Sequence, residues 1–460
     1  MEKHDINETI VAISTPPGES GIGIVRISGK KALAVTERVF IAKDGSKPAD
    51  FKSYTIHYGW IVKDNKVIDE VILTVMRSPR SYTKEDIVEI NCHGGIVALR
   101  AVLDLVLENG CRLAEPGEFT KRAFLNGRID LAQAEAVLEI IRAKTDSALK
   151  IGIEQLKGGL SLKINKLHRE LSDLLLVTEA NIDFPEEEIG TFDLKILACK
   201  LKNVNDELVS ILQSCRHARV MREGVRAVIC GKPNVGKSSL LNALLKQERS
   251  IVTAVAGTTR DTIEEIIDIK GIPVRIVDTA GILEPRDLIE KKAVERSRRS
   301  IELADLVLLL FDGSRELSGE DKLLMRRLHR KTIIAVINKM DLRQKIEREK
   351  ILKKFKNTVE ISAKKFKNVN LLEDMIAGLV YGGKVSLGEM MLTSNLRHIQ
   401  AIRQTQKFVA GALDSLDNKV PLEFIAQDIR EALEYLDDLL GKKFSGDLLD
   451  KIFSHFCIGK

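Results

Sequence analysis

The chain has 460 residues, 44% hydrophobic and 30% charged, an ordinary composition for a globular protein of about three domains. Aromatics are only 4% and the net charge is +6. Large base-stacking platforms are therefore not expected, and bulk charge does not by itself argue for a nucleic-acid partner. The six cysteines (Cys92, Cys111, Cys199, Cys215, Cys230 and Cys457) contain no C-x-x-C pair, so neither a zinc site nor a disulfide framework is indicated and a reducing cytosol fits. The polar start lacks a signal-peptide core, and the longest strongly apolar run, Leu306 to Phe311, is too short to span a membrane. A cytoplasmic protein without membrane association is the expectation.

In chain order, Ile10–Ile13, Ile22–Ile27, Tyr54–Val62, Val67–Met76 and Ile87–Ile90 read as strands, and Ile96–Glu108 as a helix ending at Asn109-Gly110. Residues 1–119 thus form an α+β unit. From 120 to 217 the period is helical: Leu131, Ala134, Leu138 and Ile141 share one face, and Leu167, Leu171, Leu174 and Thr178 another. A break falls at Asp183-Phe184-Pro185. From 218 to 383 strands and helices alternate, the pattern of a doubly wound, mostly parallel sheet. The helical period returns over 384–460, where Ile429, Leu433, Leu436 and Leu440 align, followed by Leu448, Leu449, Ile452, Phe453 and Phe456. The simplest architecture is an α/β nucleotide domain inserted into a discontinuous helical bundle. Two basic clusters, Lys291/Lys292/Arg296/Arg298/Arg299 and Arg326/Arg327/Arg330/Lys331, read equally as nucleic-acid contacts or as solvated helix faces.

Gly231-Lys232-Pro233-Asn234-Val235-Gly236-Lys237-Ser238-Ser239 lies between an apolar strand and a helix-forming run. That is the context of a phosphate-binding P-loop, whose backbone N–H groups and helix N-terminus face an anion. Lys237 can reach the β- and γ-phosphates and Ser238 can hold Mg²⁺. Asp278-Thr279-Ala280-Gly281 follows a strand; Asp278 is placed to bind Mg²⁺ through water and the Gly281 N–H to meet the γ-phosphate. Asn338-Lys339-Met340-Asp341 follows another. The Asp341 carboxylate can accept from guanine N1 and the exocyclic amine, a donor pair that adenine lacks, so GTP is the expected nucleotide. Ser362-Ala363-Lys364 can add an N–H to guanine O6. Four motifs in this order, each at a strand end, resemble the translation-factor-related branch of GTPases. Between them, Thr253-Ala254-Val255-Ala256-Gly257-Thr258-Thr259 reads as a switch, with Thr259 as second Mg²⁺ ligand.

Many GTPases place a glutamine directly after the D-x-x-G glycine; here Ile282 stands there and cannot polarise water. No arginine finger is evident. Asn234, inside the loop, has a side-chain oxygen near where such a finger would enter, and with carbonyls of the Thr253–Thr258 loop it could hold a monovalent cation. Glu284, Asp287 and Glu290 are all candidates to orient water, and spacing does not choose among them.

Further stretches carry a wider resemblance: Thr15-Pro16-Pro17-Gly18, Gly21-Ile22-Gly23-Ile24-Val25-Arg26-Ile27-Ser28-Gly29, Glu115 to Arg128, Leu131 to Ala136, Ile182 to Glu187, Gly257 to Asp261, and Phe456-Cys457-Ile458-Gly459-Lys460. With these, nearly the whole chain resembles the MnmE (TrmE) family of tRNA modification GTPases. The resemblance implies a folate-binding, dimerising N-terminal domain, a helical domain and an inserted G domain. It implies potassium-dependent GTP hydrolysis, with Asn234 and backbone oxygens of Thr253, Val255 and Thr258 binding K⁺ and Glu290 orienting water. It further implies a flavin-containing (FAD) partner, MnmG (GidA), with which the family adds an aminomethyl or carboxymethylaminomethyl group at C5 of a tRNA wobble uridine. The carbon comes from a tetrahydrofolate derivative, 5,10-methylene- or 5-formyl-tetrahydrofolate. Arg26, Glu89 and Arg128 match the folate pocket, with Lys460 reaching it from the C-terminus; a carboxylate suits the pterin edge and arginine the anionic tail. Cys457 is read either as a catalytic thiolate or as a small buried apolar residue, and its C-terminal context does not fit a prenylation signal. Lys232 and Val235 stand where relatives often carry Arg and Ala, and neither is expected to touch the ligands. The competing reading is an Era- or Der-type ribosome-assembly or RNA-binding switch, but the region after the G domain is helical and lacks the G-x-x-G RNA-binding module that Era requires. A folate-dependent transferase merely regulated by its G domain is a third reading, which the sequence does not separate from the first.

Overall fold

The computed structural model describes residues 8–16, 18–143, 145–184, 193–247, 264–278, 301–328, 331–381, 393, 395–444 and 446–460. The chain forms two compact units, one from Met1–Leu138, Gln155–Leu201 and Lys407–Lys460, the other from Glu139–Glu154 and Lys202–Gln406.

In the first unit, seven strands form one sheet: β1 (Ile10–Ile13), β2 (Gly23–Ser28), β3 (Phe40–Ala42), β4 (Thr55–Lys63), β5 (Lys66–Met76), β6 (Ile87–Cys92) and β7 (Arg112–Leu113). Their order is β3-β4-β5-β6-β2-β1-β7, antiparallel except where β7 runs beside β1. Helices α1 (Ala32–Val39) and α2 (Ile96–Glu108) cover one face, where Val25, Ile27, Leu73, Val88 and Ile90 meet Leu99, Val102 and Val106. At Gly23 a Cβ would lie 2.7 Å from the Leu99 side chain; the bare backbone is what lets α2 approach this closely. Strand β1 is apolar on both sides because both faces are covered: Val11 belongs to the helix-covered core, while Ile10 and Ala12 pack with Ala114 and Phe119. The strand periods in the sequence match these elements to within about two residues, whereas β3, β7 and α1 were not read from it.

Four helices follow α3 (Glu118–Leu125): α4 (Leu131–Arg142), α5 (Asp146–Leu156), α6 (Gly159–Asp183) and α7 (Leu194–Glu223). The stripe of α6, Leu167, Leu171, Leu174 and Thr178, is buried, and α6 packs against the helix Leu422–Leu440, whose Ile429, Leu433, Leu436 and Leu440 are buried in turn. Leu131, Ala134 and Val137 of α4 join Leu449, Phe453 and Phe456 of the C-terminal segment. Ile141 departs from expectation: it is 43% exposed, whereas Leu138 packs against the cluster of Leu131, Ala134 and Val137.

Buried beneath α3 is a charged network. Arg122, 2% exposed, donates from Nη1 to both Glu85 oxygens at 3.1 Å and from Nη2 to Glu118 Oε1 at 2.9 Å. Arg112 reaches both oxygens of Glu118, at 3.0 and 2.7 Å, and Ser28 Oγ donates to Glu85 at 2.7 Å. Burial works to raise the Glu118 carboxyl. The hydrogen bonds from Arg112, the Glu115 N–H and Arg122 outweigh it and hold the group below the usual glutamate range.

In the second unit, β8 (Val225–Cys230), β9 (Glu264–Ile269), β10 (Ile272–Asp278), β11 (Leu306–Asp312), β12 (Ile333–Asn338) and β13 (Thr358–Glu360) form a six-stranded sheet. The order is β13-β12-β11-β8-β10-β9, parallel but for the pairing of β9 with β10. Covered on both faces, β11 and β12 are continuous apolar runs. Alternation divides them: Leu308, Leu310, Ile334 and Val336 enter one core, and Val307, Leu309, Phe311, Ala335 and Ile337 the other. All six cysteines are free. Among the described residues no helix is long and apolar enough to cross a membrane, and no group of three or more His, Cys, Asp or Glu could hold a metal ion.

Replacing Arg122 by Met takes the guanidinium from half-buried Glu85 and leaves buried Glu118 to Arg112 alone, and is expected to cost about 3–5 kcal/mol at neutral pH. Glu118 titrates lower when folded than unfolded, so its contribution is complete above the usual glutamate range and fades as pH falls through its lower folded value. The gap between Arg122→Met and wild type should therefore narrow in acid. Urea unfolding of both proteins at neutral and acid pH measures it; an equal gap at both would show that the penalty is not electrostatic.

Candidate functional site

The turn between β8 and α8 (Lys237–Gln247) is shaped by three left-handed residues, Gly231 (φ 153°), Asn234 (φ 61°) and Gly236 (φ 101°). At Gly231 a Cβ would sit 2.7 Å from Leu310 O, and at Gly236 it would collide with Asn338 Nδ2, so glycine is required at both. Asparagine is among the few other residues that tolerate the left-handed conformation. Lys237 Nζ donates to Gly231 O at 3.0 Å and Lys232 O at 2.9 Å, which holds the ammonium inside the curl. Ser238 and Ser239 are exposed in the first turn of α8, where N–H groups lack helical acceptors. The combination of cation, open N–H groups and helix N-terminus suits an anionic phosphate.

Asn338 ends β12 and is 2% exposed. Its Nδ2 donates to Val235 O at 2.9 Å, and its Oδ1 accepts from Ala363 N at 3.0 Å. One buried carboxamide thus joins the phosphate loop to the Ser362-Ala363-Lys364 loop. Lys339, also left-handed (φ 66°), donates from Nζ to Asn234 O and to Asp312 Oδ2, both at 2.7 Å. Burial would raise Asp312, but hydrogen bonds from Lys339 and Ser314 overcome it and keep the carboxyl below the usual range. Asp341 is exposed and accepts from Ser362 Oγ at 2.6 Å; that bond and its own backbone N–H hold it ionised below the usual value. A carboxylate kept anionic and open to solvent is what a pair of ring and amine donors requires. Ser362 and Ala363 are buried and Lys364 is exposed.

Two residues here escaped the sequence reading. Asp312, the partner of Lys339, directly follows the apolar run Leu306 to Phe311 and was not singled out. Lys232, expected there only not to touch the ligands, forms an ion pair with Asp321 at 2.6 Å. The spacing of Ser318 and Asp321, a capping box ahead of the helix Gly319–Arg327, was the legible signal for that end of the pair. Asp278 ends β10 opposite Ile229 of β8. Thr253, Ala254, Val255, Ala256, Gly257, Thr258, Thr259, Thr279, Ala280, Gly281 and Glu290, with the alternatives Glu284 and Asp287, lie outside the described residues, as do Ile282, the cluster from Lys291 to Arg299, and Arg330.

A second polar cluster lies in the first unit. Arg26 and Glu89 are register partners on β2 and β6, and Arg26 Nε donates to Glu89 Oε1 at 2.7 Å. Arg26 Nη1 also donates to Gly459 O at 3.1 Å, and Ser14 Oγ reaches the same carbonyl at 3.2 Å. The C-terminal tail is thereby bound to the sheet. Phe456 is buried against Phe453, with ring centroids 5.4 Å apart, and Cys457 O accepts from Gly117 N at 3.3 Å. Gly459 (φ 91°) has no room for a side chain, since a Cβ would sit 2.5 Å from Ile13 O. Burial pushes the Lys460 ammonium below its usual value; Arg26 adds to this, and Glu89 and Cys457 oppose it. Cys457 itself is exposed, so it is not a core residue. The Arg128 guanidinium lies 4.7 Å over the Tyr82 ring, and that of Arg26 lies 5.7 Å over the Phe119 ring. Burial raises the Tyr82 phenol, while Thr120 and the charges of Arg128 and Arg26 pull it down. Arg26, Glu89 and Lys460 are thus brought together, and Arg128 joins them through Tyr82, which the sequence reading did not single out.

Residues 131–457 match the family described as MnmE helical domain, and residues 9–128 match GTP-binding protein TrmE N-terminus. A curated "tRNA modification GTPase MnmE" of Clostridioides difficile (strain 630) is 46% identical over 99% of this chain and 100% of its own. That of Carboxydothermus hydrogenoformans is 47% identical over 99% and 100%, and that of Bacillus subtilis (strain 168) 43% identical over 98% and 100%. A solved structure of Aquifex aeolicus Era is 30% identical over 40% of this chain and 66% of its own, at a TM-score of only 0.28.

Asp341→Asn is expected to weaken GDP binding roughly a hundredfold, because one charge-assisted acceptor becomes a donor facing the guanine amine. Xanthosine diphosphate, which offers a carbonyl there, should bind the variant better than GDP. Titration with fluorescent nucleotides checks this; unchanged GDP affinity would remove Asp341 from base recognition.

Proposed function

The chain belongs to the MnmE (TrmE) family of tRNA modification GTPases, and from that membership we propose a potassium-dependent GTPase that helps to modify C5 of the tRNA wobble uridine. In this reading it acts with a flavin-containing MnmG-type partner and a one-carbon tetrahydrofolate derivative, and the group installed is aminomethyl or carboxymethylaminomethyl. The working form is a cytoplasmic homodimer. Its segments are 1–119 for folate and dimerisation, 120–217 and 384–460 for the helical domain, and 218–383 for the G domain.

The observation that carries the folate part is the docked C-terminal tail. Arg26, Glu89, Gly459 and Lys460, drawn from opposite ends of the chain, share one polar patch. The donor set fits the ligand: Glu89 has a second carboxylate oxygen for the pterin edge, and the cations of Lys460 and Arg128 suit an anionic tail. Folate, when bound, supplies the carbon; the chain's part is to hold it and to keep water from it, with Cys457 as candidate thiolate.

In the nucleotide site, Lys237, the α8 N-terminus and Asn234 to Ser239 would hold the phosphates. Ser238 and Thr259, with Asp278 through water, would hold Mg²⁺. Asn338, Lys339, Asp341, Ser362, Ala363 and Lys364 would select guanine, and Thr253 to Thr259 with Thr279 to Gly281 would close on the γ-phosphate. The site suits a cation partner for the loop: the Asn234 side chain is exposed at a left-handed turn, and its carboxamide oxygen with backbone oxygens of Thr253, Val255 and Thr258 would hold K⁺. Bound there, the ion supplies the positive charge that an arginine finger supplies elsewhere. Glu290 is the residue proposed to orient water.

GTP turnover should be at least about tenfold faster in KCl than in NaCl at equal ionic strength, and Asn234→Gly, which keeps the left-handed turn but loses the oxygen, should abolish the difference. Equal rates for wild type in both salts would refute the cation assignment. Nucleoside analysis of tRNA from cells lacking the protein tests the function as a whole: C5-modified wobble uridines should disappear, and an unchanged profile would defeat the proposal.

A further inference from the structure

Lys232 follows the first glycine of the phosphate loop, yet its side chain is engaged outside the loop. Its Nζ lies 2.6 Å from Asp321 Oδ2 and donates to Ser318 Oγ at 2.8 Å. Both partners belong to one capping box. Ser318 Oγ accepts from Asp321 N at 3.3 Å, and Asp321 Oδ2 accepts from Ser318 N at 2.9 Å. Asp321 is 4% exposed, and Lys232 supplies the cation that a buried carboxylate needs. The next two residues are less well provided for. Pro233 has no N–H to donate, and Asn234 sits in the left-handed region, which costs a non-glycine residue about 1–2 kcal/mol. This exposed turn is therefore held from its flanks, by Lys232 on Asp321 and by Lys339 on Asn234 O. The part of the loop that follows is held separately, by Asn338 on Val235 O.

We propose that Lys232 and Asp321 are positioning residues of the GTPase: their ion pair clamps the Lys232-Pro233-Asn234 turn in the shape that hydrolysis of the terminal phosphate requires. The clamp acts on the open end of the loop, while Asn338 keeps the stretch leading into α8 in place for the inner phosphates. Loosening it should therefore slow turnover without releasing GDP. The inference rests on the reading of Gly231–Ser239 as a GTP phosphate loop and does not depend on potassium.

Asp321→Asn is the cleanest variant, since its side-chain oxygen still accepts from Ser318 N and preserves the helix cap while the negative charge facing Lys232 is lost. Lys232→Met removes the other charge and leaves Asp321 intact, so one variant remains informative if the other folds poorly. Each is expected to lower kcat for GTP about tenfold with GDP affinity close to wild type; the thermal midpoint should stay close to wild type in Asp321→Asn and fall in Lys232→Met, which leaves the buried Asp321 carboxylate without its cation. Lys232→Arg should retain kcat, and the double variant should be no slower than either single one. Unimpaired kcat in both single variants, parallel loss of kcat, GDP affinity and thermal stability in Asp321→Asn, or defects that multiply in the double variant would each overturn the clamp. A wild-type protein that turned over no GTP would instead end the reading of the loop itself.

Discussion

The nucleotide site depends on the two hydrogen bonds of one buried side chain. Asn338 closes β12 with its amide on Val235 O and its oxygen on Ala363 N, so the Gly231–Ser239 loop and the Ser362–Lys364 loop share a support. A buried carboxamide with both ends satisfied is rigid, since letting either partner go strands a polar atom away from water. Gly236 follows from the same contact, because any side chain there would displace the Asn338 amide. Lys339, the next residue, extends the support to Asn234 and Asp312. Two consecutive residues at one strand end thereby set the loop, its left-handed turn and the loop that carries the Asp341 partner Ser362 in register with one another.

The other unit relies on ionic groups taken out of water. Arg122 is among its most buried side chains and is paired with Glu85 and Glu118. Such a network stabilises the fold only while it is complete, because each member pays for the desolvation of the others. Above it, α3 and the C-terminal aromatics fix the tail, and the tail brings a carbonyl and a lysine to Arg26 and Glu89. The free carboxylate oxygen and the cations at this patch are groups that the fold itself leaves available.

The strands and long helices were legible because their periods record burial. Ile10–Ile13 and Ile96–Glu108 coincide with β1 and α2, and the stripes of α6 and of Leu422–Leu440 are core. The short elements β3, β7 and α1 were not legible, since two to eight residues hold too little periodicity to separate them from loops. Ile141 shows the converse: its period is helical, but its burial depends on how far the neighbouring elements reach.

The sequence by itself determined the family and its GTPase class. The order Gly231–Ser239, Asp278, Asn338–Asp341 and Ser362–Lys364 raises the expectation of phosphate, Mg²⁺ and guanine, because each ligand demands particular groups at short chain separations. Tertiary structure decided what those motifs lean on and which distant groups meet. Nothing local predicts that Lys232 pairs with Asp321, that Lys339 answers to Asp312, or that Gly459 O lies on Arg26 across 433 positions of chain. Those contacts come from packing, which brings residues together by the surfaces they bury and leaves no mark at fixed spacing in the chain.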